Sequence, residues 1–224
     1  MTSKCRCVVL IGGNGSNLQA LIDNETMALD AHIVGVISHR PDAYGLQRAQ
    51  LAKIPTTTVS HVDFENRALF ENALRISIDA YQPDLILLAG FMRVLSSDFV
   101  NHYQGKLLNI HPSLLPKYKG LHTHRRVLEA GDKEHGASVH FVTAELDGGP
   151  IIAQIKVPVE PQDDENTLSL RVLQAEHWLY PQIVIWFAQN RLKYTQNVVT
   201  LDGKRLPPLG QQLSLPTMKK GIVS

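Results

Sequence analysis

Short apolar runs alternate with stretches of helical period along most of this 224-residue chain. Residues 5–11 read as a buried strand, followed by a helix that carries Leu18, Leu21 and Ile22 on one face. Residues 33–37 read as a second strand, 45–53 as a helix, 56–59 as a strand and 64–81 as a long helix. After Pro83, residues 85–89 are apolar enough for a central parallel strand, and Ser96 or Ser97 caps a helix through His102. Residues 107–111 form the next strand, which must stop at Pro112 because proline cannot donate to a sheet ladder. Residues 127–130 continue a short helix that ends at Gly131. Residues 138–142 and 151–157 read as a hairpin. A helix beginning near Asp164 presents Leu168, Val172, Ala175 and Leu179, and Pro181 is expected to kink or break it. Glu176 and His177 on that helix read as surface positions, and residues 194–208 as a small hairpin around Asp202-Gly203. Repeated βα units of this kind predict an α/β fold with a doubly wound, mostly parallel sheet, a C-terminal helix and a small hairpin. The expectation is a single domain over residues 1–210 and a mobile, patternless tail over 211–224.

Composition narrows the classes. A hydrophobic content of 44% with 19% charged residues describes a soluble globular chain, and a formal net charge of +1 argues against nucleic-acid or membrane binding. No apolar run approaches the length of a membrane span, and the N-terminus enters the first strand without a signal-peptide region. The only cysteines, Cys5 and Cys7, sit two apart in a strand, a poor layout for a disulfide and too few ligands for zinc. A cytoplasmic location is expected.

Candidate chemistry gathers at strand ends. In the 107–111 strand, alternation puts Asn109 and His111 on one face, at a carboxyl end where open α/β sheets bind ligands. The plainer alternative is a turn-capping Asn109 and a structural His111. Gly13, Asn14, Gly15, Ser16 and Asn17 join the first strand to its helix, a layout that exposes backbone N–H groups and the positive helix end to an anion. Ser16 and Asn17 add donors and can cap the helix. No Gly-Lys-Ser/Thr follows, Leu18 stands where a dinucleotide fingerprint needs glycine, and the second strand ends in Ser38-His39-Arg40 without an acidic residue. A monophosphate suits the loop better than a dinucleotide, and a plain tight turn is the alternative. The basic stretch 117–126 is either a solvated face or a positive field for an anionic substrate; its His122 and His124 lack the partners of a metal site, and none is expected. Asp147, in Glu145-Leu146-Asp147-Gly148-Gly149-Pro150, is either turn chemistry or the partner that orients His111 and stabilises its charged form. Together these parts suit an enzyme acting on a phosphorylated small molecule by direct transfer at a carbonyl, with donors on a developing oxyanion.

Five separated blocks carry a resemblance. They are Gly13 to Leu18, Leu88 to Arg93, Asn109 to Pro116, Gly120 to His124, and Glu145 to Pro150, all in order. They resemble the phosphoribosylglycinamide formyltransferase family over roughly Val8 to Pro208. The resemblance implies a Rossmann-like formyltransferase fold, 10-formyltetrahydrofolate as co-substrate, and the amine of glycinamide ribonucleotide as acceptor in purine synthesis. It implies Asn109, His111 and Asp147 as the catalytic trio, with protonated His111 on the oxyanion and Asp147 holding that charge. It places Gly13 to Asn17 on the ribotide phosphate, Glu176 on the ribotide amine, and Arg67, Met92, Arg93, Val94, Leu95 and Asn109 at the folate. The partners it implies are small molecules only, bound to a monomer or homodimer. The alternatives are a formyltransferase for another amine, such as an amino-sugar nucleotide, and a non-catalytic ribotide-binding protein.

Overall fold

A computed structural model describes residues 4–24, 30–196 and 198–216. Its strands are β1 (Cys5–Ile11), β2 (Ala31–Ser38), β3 (Thr56–Thr58), β4 (Leu85–Leu88), β5 (Leu107–His111) and β6 (Glu134–Phe141). They continue with β7 (Ile151–Pro158), β8 (Leu192–Thr195), β9 (Val198–Leu201), β10 (Lys204–Arg205) and β11 (Gln211–Leu213). The helices are α1 (Ser16–Asp23), α2 (Tyr44–Leu51), α3 (Arg67–Asp79), α4 (Ser97–His102), α5 (Thr123–Ala130) and α6 (Glu165–Ala188).

The main sheet runs β11-β7-β6-β5-β4-β1-β2-β3. Strands β3, β2, β1, β4 and β5 are mutually parallel, whereas β6 is antiparallel to both β5 and β7. The chain winds outward from β1 to β3, then returns to lay β4 on the other side of β1. That reversal opens a crevice at the carboxyl ends of β1 and β4, the usual ligand position in such sheets. Burial on both faces explains the continuous apolar runs. Val8 and Leu10 pack with Phe70, Leu74 and Phe99 of α3 and α4, while Cys7, Val9 and Ile11 pack with Leu18 and with Leu179 and Ile183 of α6.

Three expectations need correction. Pro181 neither breaks α6 nor ends it; the helix continues to Ala188. An internal proline costs about 3 kcal/mol, and the fully buried Leu179, Tyr180, Ile183 and Val184 around it supply packing that offsets this loss. The small hairpin is a three-stranded antiparallel sheet, β10-β9-β8, whose second turn falls at Asp202-Gly203. The tail does not begin at 211, because Gln211–Leu213 pairs in parallel with Ala153 to Ile155 of β7. Residues 217–224 of the expected tail lie outside the described residues.

Candidate active site

The site is built on β5. Asn109 is partly exposed and His111 is buried, with both side chains on the face opposite Leu108 and Ile110. The antiparallel register sets Asn109 opposite His140 and His111 opposite Ser138. Asn109 Nδ2 donates to His140 Nε2 at 3.1 Å, while His140 Nδ1 donates to the Phe141 carbonyl at 2.9 Å. Those two bonds set the orientation of the His140 ring, whose Nε2 also faces Asp147. Sequence reasoning missed His140, and no signal short of the register could have revealed it.

The loop between β6 and β7 folds back over this face and carries Asp147 in a left-handed conformation, φ 47°. Asp147 Oδ2 accepts from the Gly120 N–H at 2.9 Å and lies 3.5 Å from His111 Nδ1; Oδ1 lies 3.7 Å from His140 Nε2. His111 Nε2 donates to the Tyr118 carbonyl at 3.0 Å. Both neighbours of the His111 ring are therefore acceptors, an arrangement that orients the ring and favours its charged form. Burial nevertheless dominates: it pulls the His111 pKa below the ordinary imidazole value, and the Tyr118 carbonyl and Asp147 oppose it without reversing it. Burial thus works against the charged form that the resemblance implies for His111, and Asp147 and the Tyr118 carbonyl work for it. Burial acts to raise the Asp147 carboxyl, but His140, the Gly120 N–H and His111 outweigh it and hold it below the usual carboxylate range. Beyond His111 the backbone is fixed by a buried network. Ser138 Oγ donates to the Ser113 carbonyl at 2.6 Å and accepts from the Leu115 N–H at 3.0 Å, and Gln154 Nε2 donates to the Leu115 carbonyl at 2.8 Å.

The glycine loop follows β1. Gly15 has φ 75° and serves as N-cap of α1, which begins at Ser16 itself. No side chain caps this helix, so the expected capping by Ser16 or Asn17 is corrected: the left-handed glycine starts the helix one residue too early for it. A Cβ on Gly15 would stand 2.6 Å from Gly45 Cα, so only glycine permits this approach of α2. Gly13 and Asn14 are exposed, and nothing lies within 4 Å of a Cβ built on Gly13. Asn17 is buried, with Nδ2 donating to Glu176 Oε2 at 2.7 Å and Oδ1 without a partner. Glu176 is likewise buried, against the surface reading, because α6 is covered on the side where it meets α1. Burial pushes its carboxyl up to about 7, against the opposing bond from Asn17.

The third part leaves β4. Leu88 is the register partner of Asn109, so the loop over residues 90–95 emerges beside the trio. The fully buried Tyr180 hydroxyl bridges the Leu88 and Leu108 carbonyls at 3.1 and 3.2 Å across this seam. Met92, Arg93 and Val94 are exposed while Leu95 is buried. Met92 and Val94 are thus large apolar side chains in water beside a polar centre, an arrangement that suits a flat apolar ligand. Arg67 is joined to this loop through Glu71, which accepts from Arg67 Nε at 2.8 Å, from the Ser96 N–H at 2.7 Å and from Ser96 Oγ. Burial would raise Glu71, but Ser96 and Arg67 hold it below the usual range. A groove of about 480 Å³ runs along this junction, lined by Arg67, Glu71, Arg75, Ser96 and His102. Glu71 was not foreseen, as it occupies an ordinary polar helix position.

His124 Nδ1 lies 3.1 Å from His135 Nε2, and among the described residues no group of three or more His, Cys, Asp or Glu side chains could hold a metal ion. No helix among those residues is long and apolar enough to cross a membrane.

Comparison with known proteins places this arrangement in context. Residues 5–184 match the formyl transferase family. The chain is 56% identical over 204 residues to phosphoribosylglycinamide formyltransferase of Escherichia coli (strain K12), covering 91% of this chain and 96% of the relative. It superposes with a TM-score of 0.91 on the phosphoribosylglycinamide formyltransferase of Coxiella burnetii, at 53% identity, covering 94% of this chain and all of that one. A formyltetrahydrofolate deformylase from Pseudomonas syringae shares the fold, with a TM-score of 0.81 at 24% identity over 89% of this chain and 66% of its own.

Proposed function

The chain belongs to the formyl transferase family, and from that premise we infer what its site does. It transfers a formyl group from 10-formyltetrahydrofolate, a co-substrate, to the amine of glycinamide ribonucleotide in purine biosynthesis. The alternatives of another acceptor amine or of a non-catalytic ribotide binder are not favoured by these relatives.

We assign the chemistry to Asn109, His111 and Asp147. The acceptor amine attacks the formyl carbon, and the carbonyl electrons move onto oxygen to give a tetrahedral oxyanion. Asn109 keeps one amide N–H on His140 and has a second to offer that oxygen. The oxyanion raises the proton affinity of the nearby His111 ring, so the charge that burial disfavours in the resting site is stabilised during the reaction. Asp147 takes the developing positive charge on its side of the ring; contacts as long as 3.5 Å tighten when a substrate closes the site. Collapse of the intermediate breaks the bond to the folate nitrogen, and the proton lost by the attacking amine ends on that nitrogen through His111 or an ordered water.

Substrate contacts follow from the same layout. We place the ribotide phosphate on the N–H groups of Gly13 to Asn17, the ribotide amine against Glu176, and the folate between Arg67 and Met92 to Leu95, with Asn109 reaching both. The enzyme acts on small molecules, and we place it in the cytoplasm as a monomer or homodimer. The observation that supports this reading is that Asn109 and His111 share one face of β5, with Asp147 laid against His111 and against His140, the partner of Asn109. A steady-state assay with 10-formyltetrahydrofolate, with and without glycinamide ribonucleotide, tests it. Turnover that requires the ribotide and is lost in His111→Ala is expected. Deformylation without acceptor makes the enzyme a hydrolase, and a wild-type rate in His111→Ala removes His111 from the chemistry.

A further inference from the structure

The glycine loop raises a physical problem. Its N–H groups must face an anion, yet its carbonyls and the Asn14 amide also need partners, and the loop carries no lysine of its own. Helix α2 answers both needs. The Gly45 N–H donates to the Gly13 carbonyl at 3.1 Å. One turn further on, Arg48 Nε donates to the Asn14 carbonyl at 2.9 Å and Nη2 to Asn14 Oδ1 at 2.8 Å. Its third arm reaches Gln19 Oε1 on α1 at 3.2 Å, and the guanidinium plane lies 4.9 Å over the Tyr44 ring. One side chain thus grips the loop at main chain and side chain, ties it to the helix it opens, and is itself braced by an aromatic face.

We propose that Arg48 is a positioning residue for the ribotide phosphate. Acting through Asn14, it consumes the acceptors of the glycine loop so that its donors stay turned to the ligand. It also supplies the fixed positive charge that a lysine gives other phosphate loops. Its field extends to α6, where the His177 imidazole is held below its ordinary value by burial and by Arg48. The planar fork is essential, because lysine, with a single nitrogen, cannot bond the Asn14 carbonyl and amide oxygens with the same fixed geometry. This proposal rests on the placement of the phosphate at Gly13 to Asn17 argued above.

The test measures KM and kcat for wild type, Arg48→Ala and Arg48→Lys with glycinamide ribonucleotide, with its dephosphorylated riboside, and with varied folate. Arg48→Ala is expected to raise the ribotide KM about tenfold to hundredfold, the loss of one or two charge-assisted hydrogen bonds. Its kcat at saturation should stay within about threefold, and its KM for riboside and folate should not move. Inhibition by inorganic phosphate, competitive with the ribotide, should weaken in parallel. Arg48→Lys should recover part of the loss by restoring charge without the fork, and it carries the test should the alanine variant not fold. An unchanged ribotide KM overturns the proposal. So does an equal loss toward ribotide and riboside, which would make Arg48 merely structural. A wild-type enzyme that handles both acceptors alike and ignores inorganic phosphate overturns the phosphate placement itself, and the role of Arg48 with it.

Discussion

Asn109 and His140 face each other across the junction of β5 and β6, amide nitrogen to imidazole nitrogen at 3.1 Å. The bond dictates which way the amide points. With one N–H of Nδ2 engaged by the ring, the second N–H of the same nitrogen is left for the oxyanion we propose. Asn109→Ala should therefore lower kcat by about 10²–10³-fold, the cost of a lost oxyanion donor. His140→Ala, which frees the amide to turn, should lower kcat by about 10- to 100-fold with little change in either KM. In the double variant the two losses should fall well short of additive, since they remove one device. Additive losses would separate the two residues.

Asp147 supports the His111 charge against burial. Asp147→Asn removes the nearest negative group, so the His111 pKa, already below the ordinary imidazole value, should fall further. An NMR titration of the His111 ring in both proteins measures this. Identical titration curves would show that Asp147 orients the ring without charging it.

Glu176 gives the ribotide step a pH dependence. Its carboxyl is raised to about 7 by burial, so the fraction able to accept from the ribotide amine as a carboxylate grows as pH rises through that value. The ribotide KM should fall between about pH 6 and about pH 8, and Glu176→Gln should remove that slope while leaving the folate KM alone. A slope that survives in the glutamine variant belongs to another group.

His135 predicts acid lability. Burial, then His124 and His111, hold its pKa at about 4, whereas the unfolded imidazole titrates near 6.5. The unfolded chain takes up this proton first, so stability is lost as pH falls from about 6.5 towards about 4 and the loss levels off below that. Urea midpoints over this window should fall more steeply for wild type than for His135→Gln. Equal slopes would exclude His135 as the cause.

The sequence carried the parts of this fold whose signals are local. An apolar run closed by Pro112 set the limits of β5, and a run of small residues after an apolar strand located the glycine loop. What it hid depends on pairing between distant segments. His140 acquires its role from the reversed direction of β6, a property of the register that no residue of β6 announces. Gln211–Leu213 joins the sheet by pairing with β7, helped by a Gln212–Gln154 side-chain bond and by Leu213 on the core, contacts that no local pattern in this short polar stretch reveals. Glu176 looks like solvent-facing polarity in a helix until α1 covers it. Arg48 looks like any basic residue until Asn14 is set against it.

The contact between His111 and Tyr118 has a last consequence. The acceptor is a main-chain carbonyl, which all amino acids at position 118 possess. An alanine scan at Tyr118 would record the loss of its ring from Arg126 and the core and of its hydroxyl from Asp132, and nothing of the carbonyl. The group that holds the His111 imidazole is invisible to any survey that exchanges side chains. It answers only to changes of backbone: a β-branched residue forced into the left-handed φ of 56° here should disturb His111 where alanine does not.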